Sequence, residues 1–303
     1  MADTRTVGVV GVGLLGSAVA DVLLRAGYKV LGYDLVQERL AALEARGGKA
    51  ARSAADVARS APAVFTTLPT LASVEEAIVG GEGVLEGARP DTIILQMSTI
   101  SPALAIRMEE ATGTRGAAFL DAPVSGTSSM VARRDCVVTV GGDRAAFERC
   151  RPVLEAAAKR VYHVGSCGMG SHLKLVTNLI MGLNGVVLAE GLTLARRAGL
   201  DLEQTLEILS QGAAASKILE VRGPLMLQGR FDPLMKMDLF LKDIRLMLED
   251  AQELHVPVPL TGMMQQLYTA AVAGGRAKED LAGIVGLYEA LAGLPPRDTG
   301  GPA

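Results

Sequence analysis

Thr6-Val-Gly-Val-Val10-Gly11-Val-Gly13-Leu-Leu-Gly16 runs a short apolar strand straight into a glycine turn. A helical pattern carrying Val19, Leu23 and Leu24 follows as far as Gly27, and a second strand, Lys29-Val-Leu-Gly-Tyr33, ends at Asp34. A GxGxxG on its own is weak, because glycine-rich turns are common. Set between strand and helix, with an acid eighteen residues beyond Gly16, it becomes a dinucleotide-binding fingerprint. Gly11 permits the tight turn, Gly13 lets backbone approach a pyrophosphate, and Gly16 lets the helix pack closely. The helix N-terminus then offers N–H donors and the positive end of its dipole to the phosphates. The expected cofactor contacts are Gly11, Val12, Gly13, Leu14, Leu15 and Gly16, with Tyr33 and Asp34. Asp34 would accept hydrogen bonds from the adenine ribose and repel a 2′-phosphate. With no Arg immediately after it, NAD is expected in preference to NADP.

Outward from this unit, further strands are expected at Ala63–Leu68, Thr92–Gln96, Ala117–Leu120, Cys136–Val140 and Val161–Val164. Helical patterns lie between them at 36–46, 71–79, 101–113 and 144–158. Such alternation predicts a doubly wound, mostly parallel sheet with helices on both faces. Ligands in such sheets lie beyond the carboxyl ends of the strands. Three of those ends carry residues that could serve a site: Leu68-Pro69, Ser98-Thr99 and Ser125-Gly126-Thr127. Each is also ordinary turn chemistry.

The character of the chain changes at Gly165-Ser-Cys-Gly168-Met-Gly170-Ser-His-Leu-Lys174-Leu-Val-Thr-Asn178. Three glycines loosen the backbone and hand over to an apolar helix that ends near Gly199, a length of roughly 40 Å. Lys174, Asn178, Asn184 and Glu190 interrupt it, which argues against a membrane span. Lys174 and Asn178, four residues apart, share one face. A lysine among Leu173, Leu175 and Val176 either snorkels to water or is held for chemistry. Beyond Asp201 every signal is helical, with a capping-box pattern at Asp201 and Gln204, a helix closed by Gly212, and another capped by Ser216 and stopped near Gly223-Pro224. Longer helical patterns follow from Asp238 towards His255, and near 260–273 and 280–292. The expected organisation is an α/β Rossmann domain over 1–164 and an all-α domain over 165–294, joined by the long helix, then a disordered tail over 295–303.

Composition limits the functions available. The chain has 303 residues, a net charge of -3, 3% aromatic residues and no Trp. It lacks a basic block and stacking platforms, so nucleic-acid binding is not expected. The three cysteines have no metal-type spacing and suit a reducing, cytoplasmic setting. His163, His172 and His255 share no metal motif, and no metal is expected.

The chain resembles the β-hydroxyacid dehydrogenases, the 3-hydroxyisobutyrate dehydrogenase-like and tartronate semialdehyde reductase-like enzymes, over nearly its whole length. The matching motifs are Gly11 to Gly16, Leu68-Pro69, Met97-Ser-Thr-Ile-Ser-Pro102, Asp121-Ala-Pro-Val-Ser-Gly126, Gly168 to Lys174 with Asn178, and Lys242-Asp243. The resemblance implies hydride transfer between nicotinamide and a small 3-hydroxy acid or its semialdehyde. It implies Lys174 as the catalytic acid/base, Asn178 as a substrate holder, and Ser125 and Gly126 on the substrate carboxylate. Leu68, Pro69, Ser73, Ser98, Thr99 and Lys242 would line the cofactor. Homodimers or homotetramers are typical of the family.

Where the family usually reads Ser-Gly-Gly, this chain has Ser125-Gly126-Thr127, and Gln96 replaces a usual Asp. Thr127 and Ser128, with Arg133 or Arg134, could read a second polar or anionic group on the substrate; alternatively both arginines are solvated loop residues. That leaves a dicarboxylate, sulfonate or sugar-acid substrate as the alternative. A non-catalytic nucleotide-sensing module and an imine reductase are disfavoured by the presence of Lys174.

Overall fold

The computed structural model describes residues 5–295, so the expected tail lies, after Pro295, outside the described residues. The chain divides into two compact units, the first ending at Lys174 and the second beginning at Leu175.

The first unit runs β1 (Thr6–Val10), α1 (Leu14–Arg25), β2 (Lys29–Tyr33), α2 (Gln37–Ala45), β3 (Lys49–Ala50), α3 (Ala54–Ser60), β4 (Ala63–Thr66), α4 (Leu71–Val79), α5 (Val84–Gly87), β5 (Ile93–Gln96), α6 (Pro102–Gly113), β6 (Ala118–Asp121), β7 (Val124–Ser125), α7 (Ser128–Ala132), β8 (Val137–Gly142), α8 (Arg144–Ala157) and β9 (Arg160–Gly165). The strands form one sheet in the order β3-β2-β1-β4-β5-β6-β8-β7, with β9 on β8. All pairings from β3 to β6 are parallel, and β8 enters antiparallel to β6. This is the doubly wound Rossmann order, with its topological switch between β1 and β4.

Both faces of the sheet are covered, which is why its strands read as continuous apolar runs. Val7, Val9, Phe65, Leu95 and Leu120 are buried in one core with Leu23 of α1 and Phe147 of α8. Their neighbours Val10, Val64, Ile94 and Phe119 are buried in the other, with Val57 of α3, Ile78 of α4 and Leu104 of α6. The strand expected to reach Leu68 stops at Thr66, and Thr67 leaves the sheet to donate its hydroxyl to the Gly11 carbonyl at 2.5 Å. Helix α3 had no legible signal. It lies so close to β1 that a Cβ on Gly8 would stand 2.3 Å from Val57.

Helix α9 (Met169–Arg197) starts in the first unit and continues into the second. Its length and composition would suit a membrane span, yet 44% of its most apolar window is buried inside the protein. The second unit continues with α10 (Leu202–Gln211), α11 (Lys217–Gln228), α12 (Met237–Glu253), α13 (Pro259–Ala271) and α14 (Ile284–Leu291), an all-helical arrangement. Asp201 caps α10 by accepting the Gln204 N–H at 2.8 Å. Helix α11 does not stop at Gly223-Pro224 but runs on to Gln228. The clash of a proline ring with the preceding Cβ vanishes when that residue is glycine. Gly223 also leaves room for Leu206, which a Cβ there would meet at 2.9 Å.

Gly182 of α9 faces Phe240 and Met264, where a Cβ would sit 2.5 Å from the Phe240 ring and 2.7 Å from the Met264 sulfur. Gly182→Val is therefore expected to destabilise the protein by about 1–3 kcal/mol through overpacking. A urea midpoint equal to the wild type's would show that this contact yields instead.

Candidate active site

The first unit builds a cradle at the switch point. Gly11 has φ +89°, a conformation that favours glycine, and a Cβ there would press on the Thr67 carbonyl at 2.4 Å. A Cβ on Gly16 would fall 1.9 Å from the Gly11 carbonyl, so α1 can start this close to the turn only with glycine there. Gly13 is open: a Cβ would meet nothing nearer than the Arg39 guanidinium at 3.9 Å. Gly13 is also the N-cap of α1, where no side chain caps the helix and no acid lies in the first turn. A helix start left bare in this way fits a phosphate ligand.

Asp34, just beyond β2, is buried. Its Oδ2 accepts the Val12 N–H at 2.7 Å and its Oδ1 accepts the Val36 N–H at 2.9 Å, which joins the glycine turn to the end of β2. Arg39, in the first turn of α2, donates to both oxygens at 3.2 and 3.3 Å. No arginine follows Asp34 immediately in the sequence, but the turn after β2 folds residue 39 back over residue 34. Beyond the end of β5, Ser98 accepts the N–H of Leu68, which lies beyond β4, at 2.7 Å, bringing those two expected cofactor residues together. Ser73 caps α4 reciprocally with Thr70, so its hydroxyl has a structural task beside Pro69.

Gln96, a departure from the Asp that the resembled family usually has there, accepts the Thr66 hydroxyl at 2.9 Å and the Ser98 N–H at 3.2 Å. In the altered loop, Gly126 has φ +147°, and Thr127 caps α7 by accepting the Met130 N–H at 3.3 Å. The Arg134 guanidinium donates to the Glu155 carbonyl at 2.7 Å, an attachment to α8, and Arg133 is exposed. This geometry favours the reading of both arginines as loop residues.

Lys174 depends on how α9 begins. Gly168 takes φ +92°, and a Cβ on Gly170 would stand 2.4 Å from the Asp121 carbonyl and 2.9 Å from that of Thr139. The helix therefore starts directly over the end of β6 and the middle of β8. Asp121 accepts the Ser171 N–H at 2.6 Å, which pins the turn that leads to Lys174. Burial raises the Asp121 carboxyl above its usual range, opposed by the Ser171 N–H. Burial also raises the neighbouring Cys167 thiol, with the Asp121 charge adding to the effect. Lys174 is half-buried. Asp121 had no evident role beyond its place in a motif, because its partner lies fifty residues away.

Within the second unit, Asn178 is buried and donates its Nδ2 to Asp243 Oδ2 at 2.9 Å. The Lys242 ammonium lies 3.0 Å from Asp243 Oδ1. Asp243 is thus a further residue of this cluster, 1% exposed, which fixes the amide of Asn178. Among the described residues no group of His, Cys, Asp and Glu could hold a metal ion.

Residues 6–165 match the family model described as the NAD binding domain of 6-phosphogluconate dehydrogenase. Residues 168–288 match the one described as NAD-binding of NADP-dependent 3-hydroxyisobutyrate dehydrogenase. A 2-(hydroxymethyl)glutarate dehydrogenase of Eubacterium barkeri is 34% identical over 97% of this chain and 98% of its own. An L-threonate dehydrogenase of Escherichia coli O6:H1 is 33% identical over 94% of this chain and 95% of its own. The crystal structure of a 3-hydroxyisobutyrate dehydrogenase from Salmonella typhimurium superposes with a TM-score of 0.85 at 33% identity, covering 93% of this chain and 99% of that one.

Proposed function

From a chain that belongs to the β-hydroxyacid dehydrogenase family, and so is an NAD(P)-dependent dehydrogenase of small hydroxy acids, we propose a 3-hydroxy acid dehydrogenase in which Lys174 moves the proton. The observation that carries this reading is the placement of Lys174 one helical turn from Asn178, on a helix anchored by Asp121. The nicotinamide cofactor, when bound, supplies the hydride acceptor or donor.

Lys174 takes the proton from the substrate hydroxyl during oxidation and returns it to the nascent alkoxide during reduction. Asn178, which gives one of its two amide N–H groups to Asp243, holds a substrate hydroxyl or carboxylate through the other without adding a charge. Ser125 and the backbone at Gly126 hold the carboxylate, and the capped turn at Thr127 sets the shape of that side. Gly11 to Gly16, with Tyr33 and Asp34, hold the dinucleotide's phosphates and adenine ribose. Leu68, Pro69, Ser73, Ser98, Thr99 and Lys242 serve as its further contacts. NAD is the expected first choice, since Asp34 is placed to receive ribose hydroxyls.

A substrate with a second carboxylate is a specific variant of this reading, favoured by the similarity to 2-(hydroxymethyl)glutarate dehydrogenase. A sugar acid is favoured to a similar degree by the threonate relative. NADH absorbance should be followed with 3-hydroxyisobutyrate, 2-(hydroxymethyl)glutarate, L-threonate and the matching semialdehydes or keto acids, with NAD and NADP in parallel. Reversible turnover of at least one 3-hydroxy acid is expected. Silence across the panel, with dinucleotide bound, would remove the substrate assignment.

We also propose a soluble, cytoplasmic homodimer or homotetramer. Ile180, Val187 and Leu194 recur every seventh residue on α9 and are 54%, 67% and 71% exposed. An apolar stripe of that kind is suited to a second helix.

A further inference from the structure

We propose that the first unit carries a second ligand site, at the start of β9, for the di- or triphosphate group of a nucleotide. It uses none of the residues assigned to hydride transfer and does not depend on that assignment. A shallow cleft of about 410 Å³ there is lined by Arg134, Glu155, Lys159, Arg160 and Tyr162, among others. Its size lies within the ~300–1,000 Å³ of small-molecule sites. Folding gathers these cations from separate stretches. The Arg134 guanidinium donates at 2.7 Å to the Glu155 carbonyl, one of those left open in the last turn of α8. The Lys159 N–H binds the Cys136 carbonyl at 3.0 Å, and Arg160 stands opposite Val137 in the parallel pairing of β8 and β9.

The positive charge at this place is not cancelled, although the chain as a whole carries -3. Arg134 has a neutral carbonyl for a partner, and Arg160 is exposed and forms no ion pair among the described residues. Lys159 reaches Asp135 at 2.8 Å, but the two side chains are 62% and 49% exposed, and such a pair opens at small cost. Glu155, the acid of the lining, leans towards Arg151 at 3.8 Å. Arg25, whose guanidinium donates to the Ala132 carbonyl at 2.7 Å, and the exposed Arg133 add to the positive field. Arg134 also holds φ +58°, just past the end of α7, where glycine is the usual residue. A side chain kept at such a position against its backbone preference points to a use. Guanidinium groups grip phosphate through paired N–H groups. Two of them with a lysine suit a row of phosphates better than a single one. Tyr162, two residues beyond Arg160 and so on the same face of β9, is 47% exposed and offers a ring on which a base can stack.

The test is calorimetric titration of the whole protein, kept saturated with NADH so that the glycine turn is filled, with tripolyphosphate and with ATP. The wild type is expected to bind both saturably below about 1 mM, ATP the more tightly. Arg160→Ala should weaken both about tenfold, the loss of one charge-assisted contact. Tyr162→Ala should weaken ATP about fivefold or more and leave tripolyphosphate unchanged, because only the nucleotide has a base to stack. Added KCl should weaken both ligands, less steeply in Arg160→Ala. Arg115→Ala, an exposed arginine outside the cleft, should change neither. Absence of saturable tripolyphosphate binding, or equal binding by the wild type and Arg160→Ala, overturns the proposal. An equal loss in Arg115→Ala also overturns it, as a diffuse effect of charge. If Arg160→Ala weakens both ligands while Tyr162→Ala weakens neither, the nucleotide is overturned and the site takes polyphosphate alone.

Discussion

Lys174→Ala is expected to lower kcat about 10²–10⁴-fold, the usual weight of a positioned general acid or base. NADH binding should persist, because the glycine cradle and Asp34 belong to other elements. The fold should also survive. Lys174 is half-buried, and the start of α9 is held by the Asp121 bond to Ser171 and by the close seat of Gly170. Steady-state turnover on the best substrate of the panel, beside a fluorescence titration of NADH, separates chemistry from binding. Lys174→Arg keeps a cation but titrates far too high to exchange protons near neutral pH, and it should be almost as slow. If Lys174→Ala kept kcat within about threefold of the wild type, less than general acid–base catalysis contributes, the proton would have to travel by another group.

Asp280→Ala should have the largest effect on stability, a loss of about 3–5 kcal/mol. Asp280 is completely buried and receives the Arg222 Nε at 2.9 Å. It also accepts the N–H groups of Leu234, Met235 and Ala282 at 3.0, 2.9 and 3.0 Å. Removing the carboxylate leaves the Arg222 guanidinium, itself buried, without its counter-charge, and strands three backbone donors. Asp280→Asn keeps acceptor capacity and should lose less. Urea unfolding followed by far-UV circular dichroism would decide, and a loss below about 1 kcal/mol would mean that water reaches Arg222 in the variant.

Much of the first unit was legible because its strands are short apolar runs buried on both faces and punctuated by glycine. The pattern around Gly11, Gly13, Gly16 and Asp34 is local, and each residue answers a local need of the turn. Helix α3, with seven residues of which three are alanines, has too few turns to show a period. Its place depends on Gly8 and on Gly87, where a Cβ would strike the Ala55 carbonyl. The continuation of α11 past Pro224 was equally hidden, since it depends on Gly223 preceding the ring and on Leu206 arriving from α10.

The candidate site divides along the same line. Lys174, Asn178, Ser125 and Gly126 could be singled out from the string of residues by motif and by four-residue spacing on a helix. The partners that orient them could not. Asp121 meets Ser171 across fifty residues of chain, and Asn178 meets Asp243 across sixty-five. Arg39 is nearer in sequence to Asp34, yet the pair forms only because α2 turns back over the end of β2. Backbone preferences and the alternation of apolar residues act over a few positions, so they declare strands, helices and glycine turns in the bare sequence. Electrostatic and hydrogen-bond pairings act through space, and which charge faces which is settled only once packing has brought distant stretches together.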